Sequence, residues 1–253
     1  LPLRAKDRGP GHPLVVGGGP ATANFAPVAP FFDALVVGDG EDVFPEMLLL
    51  LAAAKREGLD RDRVRGLLAG IEGVYVPGVS TMVVRRVATR LEGAPYPSSC
   101  LVPLTSGVHD RAWVEIMRGC SRGCRFCQAG MWYRPVRERS AHAVLQMAAS
   151  QLEATGHQEL ALASLSTTDY SALEAVLGRL VADHPEVRVS LPSLRVDSAA
   201  VRLAHLASPT GPSLTLAPEA GSGRMRDIIN KNVTEEDILA AADEVFRSGH
   251  TTL

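Results

Sequence analysis

The sequence has little of what marks a special environment. Its longest apolar run, Met47 to Ala54, is eight residues, and a bilayer-spanning helix needs ~20; no membrane is expected as a partner. No signal-like segment opens the chain, because Arg4, Lys6, Asp7 and Arg8 interrupt its start. Four cysteines in 253 residues are too few for a disulfide-stapled secreted fold, so the expected location is cytoplasmic. Lysine is scarce, three (Lys6, Lys55, Lys231) beside 23 arginines, a bias that reads as genomic composition. A formal net charge of −2 supplies no overall field toward nucleic acid or anionic lipid. Internal repeats and low-complexity tracts are absent, and so is the G-x-G-x-x-G fingerprint of dinucleotide sites. Leu1 stands where a starting Met would, as in an excised piece.

What is present is an ordinary globular composition, 46% hydrophobic and 21% charged, with room for one or two domains. Short apolar runs at 14–16 and 34–37 each end in glycines (Gly17–Gly19, then Gly38 and Gly40) and read as strands closed by tight turns. Residues 26–32 suggest a short helix, 44–56 a longer one stopped by Gly58, and 64–68 another; 74–76 and 82–87 suggest strands. Residues 92–112 are crowded with Gly, Pro and Ser and read as a linker between a domain over 1–91 and another over 113–253. From Trp113 strands are expected at 113–117, 159–165, 187–191 and 213–217, with helices between them capped by Ser140, Asp197 and Thr234 and by a capping box at Ser171 and Glu174. Gly156 and Gly249 are expected to end two of these helices, and residues 251–253 read as a fifth strand cut short. The fold class is therefore α/β with a parallel sheet. A closed eight-unit barrel takes ~250 residues; the 141 residues after position 112 allow only a partial one.

The sharpest feature is Cys120-Ser-Arg-Gly-Cys124-Arg-Phe-Cys127, on the loop after a strand. Three thiolates in C-x3-C-x2-C spacing can bind three irons of a [4Fe–4S] cube. The fourth iron is then open to an outside chelate such as an amino acid's amine and carboxylate. Gly119 and Gly123 let the backbone fold around a bulky group, and Phe126 offers an apolar wall. A structural zinc site would need four ligands; Cys100 lies twenty residues upstream without a partner pattern, and His109 and His142 lack finger spacing. Seven arginines fall between residues 111 and 139, against Glu115 and Glu138. That excess suits an anionic cluster, a cofactor carboxylate or an RNA phosphate, and the first two are preferred because no aromatic interleaving accompanies it.

The segments Glu115 to Met131 (EIMRGCSRGCRFCQAGM) and Tyr133 to Ser140 (YRPVRERS) resemble radical SAM enzymes. Within them they resemble uncharacterised members with an N-terminal B12-binding-like domain, the chain being a fragment of such a protein. The similarity extends through Pro192 to Arg195 (PSLR), Ala217 to Gly221 (APEAG), Val15 to Pro20 (VVGGGP) and Val37 to Glu41 (VGDGE). The resemblance implies a partial (β/α) barrel of radical SAM type, truncated at its C-terminus and preceded by the C-terminal part of a Rossmann-like, B12-binding-like α/β domain. It implies that Cys120, Cys124 and Cys127 hold a [4Fe–4S] cluster. S-adenosylmethionine would bind the open iron and be cleaved reductively to a 5′-deoxyadenosyl radical that acts on an unknown substrate. It further implies an external electron donor of flavodoxin or ferredoxin type.

Barrel active sites lie at the C-terminal ends of the strands. There, Ser164 and Ser166 are candidates to contact the methionyl amine, or else the segment Ser166 to Asp169 caps a helix. Arg195 is a candidate to grip a carboxylate or substrate anion, or else a surface partner of Asp197. Glu219 is a candidate acceptor for ribose hydroxyls, or else an exposed turn carboxylate. No catalytic residue is assigned. Methyl transfer through cobalamin and methylthio transfer without it are both open as the reaction that follows, the second disfavoured because it would call for three further cysteines and only Cys100 is spare. Cobalamin is carried by the resemblance but opposed by the missing Asp-x-His-x-x-Gly pattern and by His12, which precedes its strand; weak or absent binding is expected. The alternative function is an iron–sulfur binding or electron-transfer module, which normally uses four cysteines.

Overall fold

The computed structural model describes residues 1–105, 107, 110–207 and 214–253. Two compact units divide the chain, Leu1–Arg90 and Leu91–Leu253.

In the first unit β1 (Val16–Gly17) and β2 (Ala34–Val36) run parallel, Val16 opposite Ala34, and β3 (Val74–Tyr75) joins β2 antiparallel. Helix α1 (Gly40–Arg56) buries Val43, Met47 and Ala54, and α2 (Arg61–Leu68) buries Val64 and Leu68. Their i, i+4 spacing makes one stripe, which packs with Ala34, Val36, Val74 and Val76. The helix begins four residues before Phe44, so Pro45 lies inside it and removes one helical hydrogen bond. Residues 26–32 make no α-helix; 3-10 turns at Pro20–Asn24 and Ala29–Phe31 take their place. The expected strand at 82–87 reduces to one bridge, Arg86 to Gly38. The two backbones approach so closely there that a Cβ on Gly38 would lie 2.1 Å from the Arg86 carbonyl oxygen, and φ is +117°. A Cβ on Gly17 would meet the Phe32 and Leu35 side chains within 2.9 Å. Both glycines thus serve the unit's own packing.

One polar knot holds this unit's entry. Asp33 is buried and accepts from Arg8 Nη1 at 2.8 Å, Arg61 Nη2 at 2.7 Å and the Val15 N–H at 2.9 Å. Burial by itself raises the Asp33 carboxyl's pKa, but the Val15 N–H and the two guanidiniums outweigh it and hold the group below the ordinary carboxylate value.

The second unit is built on β4 (Ala112–Glu115), β7 (Glu159–Ala163) and β8 (Arg188–Ser190), all parallel in the order β4-β7-β8, with Val114 opposite Leu162 and Leu160 opposite Val189. Helices α4 (Ala141–Thr155) and α5 (Leu173–Asp183) connect them, as parallel strands require. Val144, Met147, Ala148 and Leu152 of α4, and Val176, Leu177 and Leu180 of α5, pack on Ala112, Val114, Leu160, Leu162 and Val189. Strand alternation sends Trp113, Glu115, Glu159 and Ser190 to the other face. Ser140 caps α4 by accepting the Ala143 N–H at 3.1 Å, and Gly156 closes it in the left-handed region at φ 69°. Asp197 caps α6 (Ser198–Ala207) through the Ala200 N–H at 2.7 Å. Thr234 and Asp237 form a reciprocal capping box on α8 (Glu235–Arg247).

Between β4 and α4 the chain makes an excursion. β5 (Met117–Arg118) leaves β4 and returns as β6 (Arg137–Glu138), antiparallel to it, with α3 (Gln128–Trp132) between them. Ser171 does not cap α5; its N–H and hydroxyl both donate to Glu138, which takes it out of the box. Ser213 lies outside the described residues, and Leu214 to Ala217 form no strand, although the Leu214 N–H donates to the Thr252 carbonyl at 3.2 Å. The described residues therefore make an open three-stranded parallel sheet and no closed barrel.

Removing the Asp33 carboxylate strands two guanidiniums. Asp33→Ala is expected to destabilise the protein by about 3–5 kcal/mol, read by urea unfolding. Because the folded-state pKa is depressed, the stabilising effect is present above the unfolded carboxylate value of 3.8 and is lost as pH falls through the lower folded value. The wild-type midpoint should fall on acidification through that window by more than that of the Asp33→Ala variant.

Candidate functional site: the cysteine loop

The loop from Gly119 to Cys127 lies beyond the C-terminal end of β4, enclosed by the β5–β6 pair. Cys120, Cys124 and Cys127 are free thiols of intermediate exposure, as is Cys100. Among the described residues no three or more His, Cys, Asp and Glu side chains are placed to hold a single metal ion. A closed zinc site takes its ligands on one ion, whereas a cluster takes each thiolate on a different iron.

Gly119 turns the chain at φ +92°, where a Cβ would sit 2.7 Å from the carbonyl oxygens of both Tyr133 and Pro135. Arg137, itself buried, gathers the same two carbonyls, Nε to Pro135 at 3.1 Å and Nη2 to Tyr133 at 3.2 Å. Gly123 takes a second left-handed turn at φ 71°. The Cys127 N–H donates to the Cys124 carbonyl at 3.1 Å. Cys127 opens α3, and its Sγ accepts the Gly130 N–H at 3.3 Å. These features fit an iron–sulfur cluster: three ligands on one loop, a turn that admits no side chain, and an N–H already aimed at one sulfur. Phe126 is 53% exposed beside Cys127.

The loop is held from three directions. Asn230 Nδ2 donates to the Gly123 carbonyl at 3.0 Å and to the Arg122 carbonyl at 3.4 Å. The Arg125 N–H donates to the Ile229 carbonyl at 2.9 Å, and Arg125 Nη1 to that of Ile228. Arg122 pairs with Asp169, Nε to Oδ2 at 2.8 Å and Nη2 to Oδ1. Asn230 adopts φ 56° just after α7 (Gly223–Ile228). Asn is among the residues that tolerate this region, and an Asn after a helix was the one local sign of it. Neither Asn230 nor Asp169 stood out in the sequence as part of this site.

The remaining candidates gather beside the loop. The strand stops at Ala163, so Ser164 and Ser166 do not alternate on a strand face. Ser164 Oγ accepts the Ser166 N–H at 3.1 Å and lies 3.1 Å from Thr167 Oγ1, while Ser166 Oγ donates to Asp169 Oδ2 at 2.6 Å. Arg195 has Asp169 Oδ1 and Asp197 Oδ2 each at 3.9 Å and makes no hydrogen bond among the described residues. Glu219, at φ 71°, receives Lys231 Nζ at 3.2 Å. Arg226, buried, staples that segment by donating to the carbonyls of Ala220 (3.0 Å), Gly221 (3.1 Å) and Val233 (2.7 Å). Burial raises the pKa of Asp169, but Arg122, Ser166 and Arg195 together hold it below the usual carboxylate range.

A parallel α/β sheet bearing a three-thiol loop at the end of its first strand defines a recognisable class. Residues 114–253, more than half of the chain, match the Radical SAM superfamily, and residues 1–77 match its N-terminal family, "Radical SAM proteins, N-terminal". The chain belongs to the radical SAM superfamily. It is 33% identical over 243 residues to an uncharacterised protein of Methanocaldococcus jannaschii, covering 93% of this chain and 49% of that one. It is 24% identical over 195 residues to a tRNA-2-methylthio-N(6)-dimethylallyladenosine synthase of Chlorobium phaeobacteroides, covering 70% and 43%. The chain thus spans about half the length of the curated relatives it matches. Among solved structures the radical S-adenosylmethionine methyltransferase TsrM of Kitasatospora setae has the same fold. TM-scores are 0.63 for the form with cobalamin and [4Fe–4S] cluster and 0.64 for the form with tryptophan and a S-adenosylmethionine analogue. Each is 20% identical and is matched over 94% of this chain and 48% of that one.

Gly119→Ala should cost about 2 kcal/mol or more, since a left-handed φ alone costs ~1–2 kcal/mol in a residue with Cβ and two carbonyls would have to move. Gly178→Ala, within α5 and with nothing within 4 Å of a new Cβ, should be neutral or slightly stabilising. Urea unfolding of the two variants beside wild type measures the difference.

Proposed function

We propose that this chain carries the cofactor-binding core of a radical SAM enzyme, with Cys120, Cys124 and Cys127 holding a [4Fe–4S] cluster whose fourth iron binds S-adenosylmethionine. The observation that carries the reading is the cysteine loop itself: three free thiols on one loop, turned by a glycine that admits no side chain, at the C-terminal end of a parallel strand. When bound, the cluster supplies the electron that cleaves the sulfonium of S-adenosylmethionine to a 5′-deoxyadenosyl radical. The protein's part is to bind, orient and shield. Arg195, whose planar fork makes no hydrogen bond among the described residues, is the proposed grip on the methionyl carboxylate. Glu219, oriented by Lys231, is the proposed acceptor for ribose hydroxyls, and Phe126 the apolar wall beside the thiols. Ser164 and Ser166 shape the turn that faces the amine, Ser166 acting through Asp169.

The proposed final reaction is methyl transfer. The fold shared with a methyltransferase supports this, as does the presence of one cysteine, Cys100, outside the loop. The substrate is unassigned, and a modified RNA base stays within the reading through the methylthio-tRNA relative. The proposed electron donor is of flavodoxin or ferredoxin type. Cobalamin fits this segment poorly. Gly17 and Gly38 are glycine for internal packing reasons, and His12, the one histidine of residues 1–90, precedes β1 and accepts the Gly9 N–H through Nδ1 at 3.0 Å.

The test is anaerobic reconstitution with iron and sulfide, reduction, and addition of S-adenosylmethionine. Release of 5′-deoxyadenosine supports the reading; a reducible cluster without cleavage would mark an electron-transfer module instead. Cys120→Ala, Cys124→Ala and Cys127→Ala should each abolish stable cluster binding, and Cys100→Ala should leave it intact. Loss of the cluster in Cys100→Ala alone would sink the three-thiolate site.

A further inference from the structure

One carboxylate fastens the cysteine loop to the sheet. Asp169 lies on the 3-10 turn Thr167–Asp169 that follows β7. Both of its oxygens accept from the Arg122 fork, and Oδ2 also accepts Ser166 Oγ at 2.6 Å. Arg195 Nη1, from the loop after β8, stands 3.9 Å from Oδ1. Three segments distant in sequence therefore meet at one group: the cysteine loop, the end of β7 and the loop after β8. The paired geometry fixes direction as well as distance, because a guanidinium and a carboxylate joined by two parallel bonds cannot rotate against each other. Arg122 occupies the middle of the Cys120–Cys124 span, so whatever orients Arg122 orients the backbone between two thiols. Asn230 holds the Arg122 and Gly123 carbonyls. The span is gripped both through a side chain and through its backbone.

We propose that Asp169 is a positioning residue: by locking Arg122 it sets the Cys120–Cys124 span in its cluster-holding shape, and by using its own oxygens on Arg122 and Ser166 it leaves the Arg195 donors for an anionic ligand. The proposal rests on the cluster reading above. Asp169 touches neither the reacting atoms nor the thiols; it acts through Arg122. Preorganisation of this kind shows in how firmly the group is kept and not in whether the chain folds.

The experiment uses the full chain, reconstituted anaerobically, as wild type, Asp169→Asn, Asp169→Ala, Arg122→Gln, Arg122→Lys, the Arg122→Gln/Asp169→Ala double variant and Asp197→Asn. Cluster loss to an iron chelator is followed by visible absorbance, the reduced cluster by electron paramagnetic resonance, and the metal-free fold by thermal unfolding. Loss is expected to be about tenfold faster in Asp169→Ala and Arg122→Gln, the scale of one charge-assisted pair, with a broadened resonance signal. The double variant should be no faster than either single one, as for partners in one interaction. Arg122→Lys, which keeps charge without the fork, should fall between wild type and Arg122→Gln. Asp197→Asn, which removes a charge near Arg195 and Arg122 but no hydrogen bond to Arg122, should stay close to wild type. Asp169→Asn keeps the side-chain shape, and its metal-free unfolding should match wild type while its cluster is lost faster. Wild-type loss rates in Asp169→Ala and Arg122→Gln, additive effects in the double variant, or equal acceleration by Asp197→Asn would each overturn the proposal with the cluster reading intact. A wild-type chain that retains no cluster would overturn both.

Discussion

A loop of nine residues with two glycines in the left-handed region has little internal means of holding three thiols in place. The cysteine loop has one backbone hydrogen bond of its own, Cys127 to Cys124, and one thiol contact, Gly130 to Cys127. Everything else that fixes it comes from outside. Tyr133 and Pro135 press on Gly119, Asp169 takes Arg122, Asn230 takes two carbonyls, and the end of α7 takes Arg125. The parallel sheet matters to function because it brings these outside partners to one end: β7 delivers Asp169 and the turn after β8 delivers Arg195 beside the strand that launches the loop. Segments so far apart in sequence can be made rigid together only by such a scaffold, since ordering each costs backbone entropy of ~1–2 kcal/mol per residue.

This division explains what the sequence could disclose. Cysteine spacing is local, so the thiol set was readable directly, and so were the caps at Ser140, Gly156, Asp197 and Thr234, each of which depends on bonds within three or four residues. The failures share a physical cause. Ser171 has the right neighbour in Glu174 for a capping box, but Glu138, 33 residues away, offers a charged acceptor and wins. The run at 82–87 has strand composition but meets the sheet where Gly38 allows only one close crossing. Asp169 and Asn230 carry no local pattern because their partners are 47 and 107 residues distant. Pairings of that reach are decided by topology, and single-residue propensity has no access to it.

The arginine excess around the loop shows the same logic at the level of charge. Read in sequence, seven arginines between 111 and 139 could serve a cluster, a cofactor or a phosphate backbone. In the structure their donors are largely spent within the unit. Arg111 pairs with Glu159, Arg118 with Glu115 and Arg122 with Asp169. Arg125, Arg137 and Arg139 donate instead to main-chain carbonyls, at Ile228, at Tyr133 and Pro135, and at Leu91 and Glu115. A carbonyl satisfies a guanidinium's hydrogen bonds without cancelling its charge. Arg139 also has the Glu115 carboxylate 4.0 Å from its Nη2. Donors engaged in this way are poorly placed to grip phosphates, which needs donors aimed at solvent. Arg195 differs: its guanidinium has Asp169 and Asp197 each at 3.9 Å and no carboxylate in hydrogen-bond range among the described residues. One residue type thus appears in two settings: Arg122, Arg125 and Arg137 are tied to a carboxylate and to carbonyls that hold the loop's shape, and Arg195 at the strand ends has carboxylates near it at 3.9 Å.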